Sequence, residues 1–335
     1  MPHRSRPVSR RVALAAALGT GCAWAAPQPA SAEDRGDWPS QPVRMILPYA
    51  AGGPTDVIAR LLCDTLSQRL PQRVVVENRT GAGGNIGASV VAKSRPDGTT
   101  FLFTNTGHAV NQALYANLDY DPARDLTPVS ILAEGPMVLL VPNSSPARTL
   151  AEFVERVRAK PGEYSYGSTG TGGALQLVSL LFTNAAGLRM EEVPYRGSAP
   201  AAQDLIAGRV EMLYDAGVTA FPLAQSGQAR ALAVSSARRS SVMPDLPTIG
   251  EAGYPDATFS VWQGILAPAG TPTSILDKLR SEIAAALDEG SLRQRLTELG
   301  AERIVANTPA EAKAYVEAEM ARWKQVLRAA GVRPQ

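Results

Sequence analysis

Val43-Arg44-Met45-Ile46-Leu47-Pro48-Tyr49-Ala50-Ala51-Gly52-Gly53-Pro54-Thr55-Asp56 is the stretch that decides the fold. An apolar run stops at Pro48, two glycines follow, and Val57, Ile58, Leu61, Leu62 and Leu66 then recur at helical spacing. The pattern is strand, glycine-rich turn, helix. Gly52 and Gly53 free the backbone and keep side chains off the turn. The first N–H groups of a helix have no partner inside it, and the helix dipole adds partial positive charge there. Tyr49, Ala51, Gly52, Gly53, Thr55 and Asp56 are therefore candidates for an anion cradle. An ordinary βα loop with Asp56 as helix N-cap fits the same residues.

Downstream, Arg73–Asn78 reads as a second strand, and Gly81-Ala82-Gly83-Gly84-Asn85-Ile86-Gly87 leads into a helix. The spacing G-x-G-x-x-x-G departs from the dinucleotide fingerprint, and no acidic residue ends a following strand, so a tight packing turn is expected. Thr99–Thr104 is a third strand, ending at Asn105-Thr106-Gly107-His108. This β-α-β-α-β rhythm implies a parallel sheet whose ligands sit beyond the carboxyl ends of strands, which brings Asn105 and Thr106 into consideration. Val129–Leu132 and Met137–Val141 read as two strands interrupted by Glu134-Gly135-Pro136.

The opening architecture then repeats. Strand Tyr164–Gly167 runs into Ser168-Thr169-Gly170-Thr171-Gly172-Gly173 and an apolar helix containing Gln176. Neither turn holds Lys or Arg, so an anion there would rely on backbone N–H and hydroxyl donors. A third turn, Val193-Pro194-Tyr195-Arg196-Gly197-Ser198-Ala199, supplies the cation nearest to the three, with Tyr195 and Ser198 beside it. Strand Val210–Tyr214 ends at Asp215, which is placed either facing a crevice or capping the next turn. Trp262 lies in a strand, Phe259–Ala267. Thr149-Leu150-Ala151-Glu152 and Thr308-Pro309-Ala310-Glu311 are capping boxes that open helices.

The chain has 335 residues, enough for two domains. Residues 1–32 read as a secretory signal peptide: Arg4, Arg6, Arg10 and Arg11, then the apolar run Val12–Leu18, then Ala30-Ser31-Ala32. Ser9-Arg10-Arg11 leaves the Sec and twin-arginine routes open. The whole chain holds 33 Lys+Arg and 31 Asp+Glu; without the four leader arginines, 29 bases face 31 acids, a net charge of −2. The basic balance belongs to the leader, and nothing points to nucleic acid. Past the leader one cysteine, Cys63, and one histidine, His108, remain. That inventory argues against a multi-ligand His/Cys metal site and makes any Ser-His-Asp triad depend on His108, expected as a polar surface or loop residue. Cys63 is expected in the core.

Five stretches in order carry a resemblance. They are Pro48–Asp56, Glu77–Gly84, Pro194–Pro200, Leu246–Pro255 and Leu266–Pro272. On them the chain resembles the periplasmic solute-binding proteins of tripartite tricarboxylate transporters, the Bug family. The resemblance implies an α/β, two-domain periplasmic-binding-protein fold (Venus-flytrap, type II), each domain a mixed β-sheet flanked by helices. Domain 1 would be discontinuous, residues 33–139 plus 250–335, with domain 2 at 140–249. It also implies a monomeric, non-enzymatic periplasmic receptor without cofactor or metal, serving large and small integral membrane subunits. A small carboxylate (di- or tricarboxylate, acidic amino acid or aromatic acid) would be held between the two turns. The expected site is Tyr49, Ala51, Gly52, Gly53, Thr55, Asp56, Asn105, Thr106, Ser168, Thr169, Gly170, Thr171, Gln176, Tyr195, Arg196, Ser198, Asp215 and Trp262. Gln176 stands where many members have histidine, so the second-domain half of the pocket is expected to differ; Thr80 stands where proline is usual, a change expected to matter little. A ligand-sensing receptor feeding a signalling partner, and a secreted hydrolase using Asp56 or Asp215 with His108, are the alternatives.

Overall fold

The computed structural model describes residues 38–170 and 172–329; residues 1–37, which include the leader, Thr171 and residues 330–335 lie outside the described residues. In chain order the elements are β1 (Val43–Leu47), α1 (Pro54–Arg69), β2 (Val74–Asn78), α2 (Asn85–Ala92), β3 (Thr100–Asn105), α3 (Gly107–Leu114), β4 (Leu126–Pro142), α4 (Leu150–Ala159), β5 (Ser165–Ser168), α5 (Ala174–Ala185), β6 (Glu191–Pro194), α6 (Ser198–Ile206), β7 (Met212–Ala216), α7 (Gly217–Gln225), β8 (Ala229–Val234), β9 (Ser260–Pro268), α8 (Thr273–Asp288), α9 (Ser291–Glu298), β10 (Arg303–Ile304) and α10 (Pro309–Ala329).

The strand residues Val43, Met45, Ile46 and Leu47 are all buried because β1 is covered on both faces. β1 pairs in parallel with β2 on one side and β3 on the other. Helix α1 lays Ile58, Ala59, Leu62, Cys63 and Leu66 into the core, which places Cys63 as its sequence context implies. Burial pushes its thiol up to about 12, so it is an unreactive core residue. β9 runs antiparallel to β3 and to β4, making this first group mixed. A second group joins β7 and β8 antiparallel to β4, with β5 parallel to β6 and β7.

β4 is the exception to the expected strand pattern. It is one strand of 17 residues that runs straight through Glu134-Gly135-Pro136. The physical reason is a change of partner. Residues through Pro136 pair with β9, and from Met137 onward the partners are β7 and β8. Pro136 lacks an N–H, but it sits where one ladder ends and another begins, so no regular bond is lost. The chain also passes between the two strand groups after β8, returning to β9. Ser235 ties the two crossings together: its hydroxyl accepts from Met137 N at 2.9 Å and donates to the Phe259 carbonyl at 2.6 Å. The result is a mixed α/β chain of two lobes, one on each strand group, joined at these crossings.

Ser235 is fully buried, so Ser235→Ala strands a donor and an acceptor away from water. We expect a loss of about 1–3 kcal/mol, read as a lowered melting temperature; an unchanged value would show that the tie contributes nothing.

Candidate functional site

Three helix N-termini converge on one cavity of about 480 Å³. The wall includes Gly53, Pro54 and Thr55 at the start of α1, Gly173, Ala174 and Leu175 at the start of α5, and Gly197 and Ser198 at the start of α6. All three helices have glycine at the N-cap, and none receives a side-chain capping bond. Helix α4, away from the cavity, is capped in the usual way, with Thr149 accepting from Glu152 N. The glycines therefore leave first-turn N–H groups and three positive dipole ends facing the cavity. Among the described residues its lining contains no carboxylate. It holds one cation, Arg196, which is exposed and ion-paired to no other described residue. Such a wall favours an anion.

Around the first turn, Tyr49, Thr55 and Asn105 form a connected group. Tyr49 Oη donates to Asn105 Oδ1 at 2.8 Å, and Asn105 Nδ2 donates to Thr55 Oγ1 at 3.0 Å. Asn105 closes β3, so the end of one parallel strand fixes the turn after another. Asp56 is not the N-cap, as the ordinary-loop reading has it: Pro54 starts α1 two residues earlier, with Gly53 as cap. Asp56 instead reaches back to Gly52 N and pairs with Arg60 and Asn78. Burial alone would raise its pKa, but these partners outweigh burial and hold the carboxylate below its usual range. Asp56 thus shapes the turn from beneath, while Ala51 and Gly52 sit exposed on its outer side.

The loop Thr80–Gly84 also lines the cavity, a contribution the sequence reading left out. Gly81, Ala82, Gly83 and Gly84 all have positive φ, with Ala82 at 47° despite its Cβ. Three glycines permit this left-handed run. Gly87 explains the packing half of the motif: a Cβ there would lie 2.8 Å from the Arg79 carbonyl oxygen.

The second turn departs from expectation. Thr169 lines the cavity, as does the ring of Tyr195, whose hydroxyl donates to Asp204. Ser168, fully buried, and Gln176 are both occupied by Glu192 on β6, a residue that sequence reasoning missed. Gly170 donates its N–H to Ser168 Oγ at 3.0 Å, and Thr171 lies outside the described residues. Ser198 is buried at the cavity wall, near Asp215 but outside hydrogen-bond geometry. Asp215 does not line the cavity; it accepts from Ala216 N and Thr219 Oγ1, and burial raises it to about 6. Trp262 and Thr106 do not line the cavity either. Trp262 is buried against Tyr315, and Thr106 Oγ1 accepts from Trp262 N. His108, expected near the surface, is 2% exposed at the start of α3. Burial drives it down to about 4, against the effect of the Pro122 carbonyl, so it is neutral at pH 7 and off the cavity wall.

The lobes meet around the cavity at two glycines. A Cβ on Gly197 would lie 2.6 Å from Ala50 Cβ, and one on Gly172 would lie 2.8 Å from Asn111 Oδ1. Both glycines also have positive φ, 143° and 82°; the contact at Gly197 is with a Cβ, while that at Gly172 is with the end of the Asn111 side chain.

Residues 58–332 match the family described as "Tripartite tricarboxylate transporter family receptor". The protein BugT of Bordetella pertussis is 35% identical over 298 residues, covering 88% of this chain and 91% of BugT. Among solved structures, R. palustris Rpa4515 with adipate is 39% identical, covers 89% of this chain and 100% of its own, and has a TM-score of 0.86. MatC from Rhodopseudomonas palustris with bound malate is 35% identical, covers 87% and 100%, and has a TM-score of 0.82.

Two outcomes follow from this geometry. Gly197→Ala strains the backbone at φ 143°, which lowers the melting temperature with or without ligand, and adds a clash with Ala50 where the lobes meet; overpacking of about 1–3 kcal/mol at that clash weakens ligand binding roughly 5- to 150-fold, measured by calorimetry, and unchanged affinity would mean the seam yields freely. Asp215 has a folded pKa raised above its unfolded value, so its stabilisation is complete below about 4 and is lost as pH rises through about 6. Asp215→Asn should therefore exceed the wild type in stability at pH 7.5 by up to about 3 kcal/mol, with the gap closing toward pH 4 in urea titrations. A gap independent of pH would place the titration elsewhere.

Proposed function

The chain belongs to the tripartite tricarboxylate transporter receptor family, and from that premise we propose that it is a periplasmic solute-binding protein that captures a small carboxylate between its lobes. The observation that carries this reading is the convergence of three uncapped helix N-termini on a cavity free of carboxylates. One ligand carboxylate sits against the first-turn N–H groups of α1 and α5, with Tyr49, Thr55, Asn105 and Thr169 around it. Neutral donors hold it, so the ligand can later be released. Arg196 is the anchor for a second carboxylate at the other end. The adipate and malate bound by the two solved relatives are dicarboxylates of a size that suits a cavity of about 480 Å³.

In this reading residues 1–32 direct export and are removed. The mature protein works as a periplasmic monomer and delivers its ligand to large and small integral membrane subunits. The two crossings, near residues 134–137 and 235–259, support lobe boundaries close to the proposed ones at 139/140, a few residues past the first crossing, and 249/250, within the second. No described helix is long and apolar enough to cross a membrane. The hydrolase alternative draws no support from the geometry, because its base, His108, does not line the cavity.

A thermal-shift screen on the mature protein tests the reading. A carboxylate at 100 times its Kd stabilises the native state by about 2.7 kcal/mol, so adipate, malate or a related acid should raise the melting temperature while its diamide does not. Equal shifts from acid and amide, or none from any acid, would overturn it. Arg196→Gln should weaken dicarboxylate binding by about 10- to 150-fold, the worth of a charged hydrogen bond, and leave monocarboxylates nearly unaffected; equal losses for both would remove Arg196 from the second anchor.

A further inference from the structure

Glu192 lies one layer behind the second turn and accepts three hydrogen bonds. Ser168 Oγ donates at 2.5 Å, and Gln176 Nε2 donates to its two oxygens at 3.0 and 2.9 Å. An ionised carboxylate accepts and never donates. Both partners must therefore turn their hydrogens toward it. Their oxygens are then left for the turn: Ser168 Oγ accepts from Gly170 N at 3.0 Å, and Gln176 Oε1 accepts from Gly172 N at 2.9 Å. The two branches reach alternate amides of the glycine-rich turn, which on its own would have wide conformational freedom.

We infer that Glu192 is the positioning residue of the second turn: by accepting from Ser168 and Gln176 together, it commits both side chains to holding the turn's backbone and withdraws them from the ligand. This rests on the carboxylate-receptor reading and sharpens it. Ser168 and Gln176 move from ligand contacts to supports. The donors this lobe leaves for the carboxylate are Thr169 and the first-turn amides of α5, with Ala174 and Leu175 on the cavity wall. Glu192 itself does not line the cavity, so its influence on the ligand passes through the turn it holds.

A donor–acceptor exchange tests this. Gln176→Glu alone sets two carboxylates against each other. Adding Glu192→Gln restores the pattern with roles reversed: the carboxylate introduced at position 176 can accept from Gly172 N and from the new amide at position 192, whose oxygen still accepts from Ser168. The single variant Q176E should lower the melting temperature and bind adipate or malate, whichever stabilises the wild type, at least about 10-fold more weakly. The double variant should recover most of both losses. A double variant no better than Q176E, or a Q176E indistinguishable from wild type, would overturn the inference. Amide hydrogen exchange in the ligand-free full mature chain supplies a readout independent of any ligand. Glu192→Ala should speed exchange at Gly170 and Gly172 several-fold and leave the amides of β1 unchanged. Unchanged exchange at both glycines sinks Glu192's role even if carboxylates bind, and faster exchange supports it even if none of the acids tested does.

Discussion

The unsatisfied N–H groups at the start of a helix are the constraint on which this structure turns. A Ser, Thr, Asp or Asn at the N-cap would satisfy one of them locally. Here α1, α5 and α6 all begin after glycine, so their donors face outward into a shared space. Bringing three partly positive helix ends to one cavity is unfavourable when the cavity is empty of anions and favourable once one enters. On the proposed reading, lobe contact and anion capture are coupled by electrostatics: a ligand that prefers the state in which the lobes meet would shift them toward it.

The glycines serve the same coupling in a second way. At Gly197 the opposing surface comes so near that a single methyl group would meet Ala50 Cβ, and at Gly172 it would press on the Asn111 amide. Glycine at the N-cap thus leaves the amides uncapped, and glycine at the seam lets the lobes reach the distance at which those amides act together. The cavity's charge pattern fits this arrangement. Acidic groups nearby are engaged with partners off the wall, as Asp56 is with Arg60 and Glu192 is with Ser168 and Gln176, while Arg196 alone faces the space with its charge unpaired among the described residues.

Much of this was legible in the chain because the signals are local. Strand, glycine turn and helix follow one another within about a dozen residues at Pro48–Asp56 and again at Ser168–Gly173, and periodicity marks the helices. Pro54 was also a usable sign that α1 begins before Asp56. What failed to show depends on distant partners. Glu192 is 24 residues from Ser168 and 16 from Gln176, and nothing in Glu191-Glu192-Val193 announces that one of its carboxylates turns inward. Trp262 was expected at the ligand, but β9 is buried along almost its whole length, so alternation could not say which face looks toward the cavity; Thr106, at the N-cap of α3, is instead taken by the distant Trp262 N. β4 runs through Glu134-Gly135-Pro136 because its partners change there, a fact of tertiary pairing that turn chemistry alone hides.

The central claim is that backbone amides at helix N-termini, not a side-chain cation, hold the proximal carboxylate. A crystal structure of the mature protein with adipate bound tests it most directly. The account predicts one carboxylate with oxygens within about 2.7–3.2 Å of first-turn amides of both α1 and α5, directly or through one water. A carboxylate held solely by Arg196, with those amides facing bulk solvent, would contradict it.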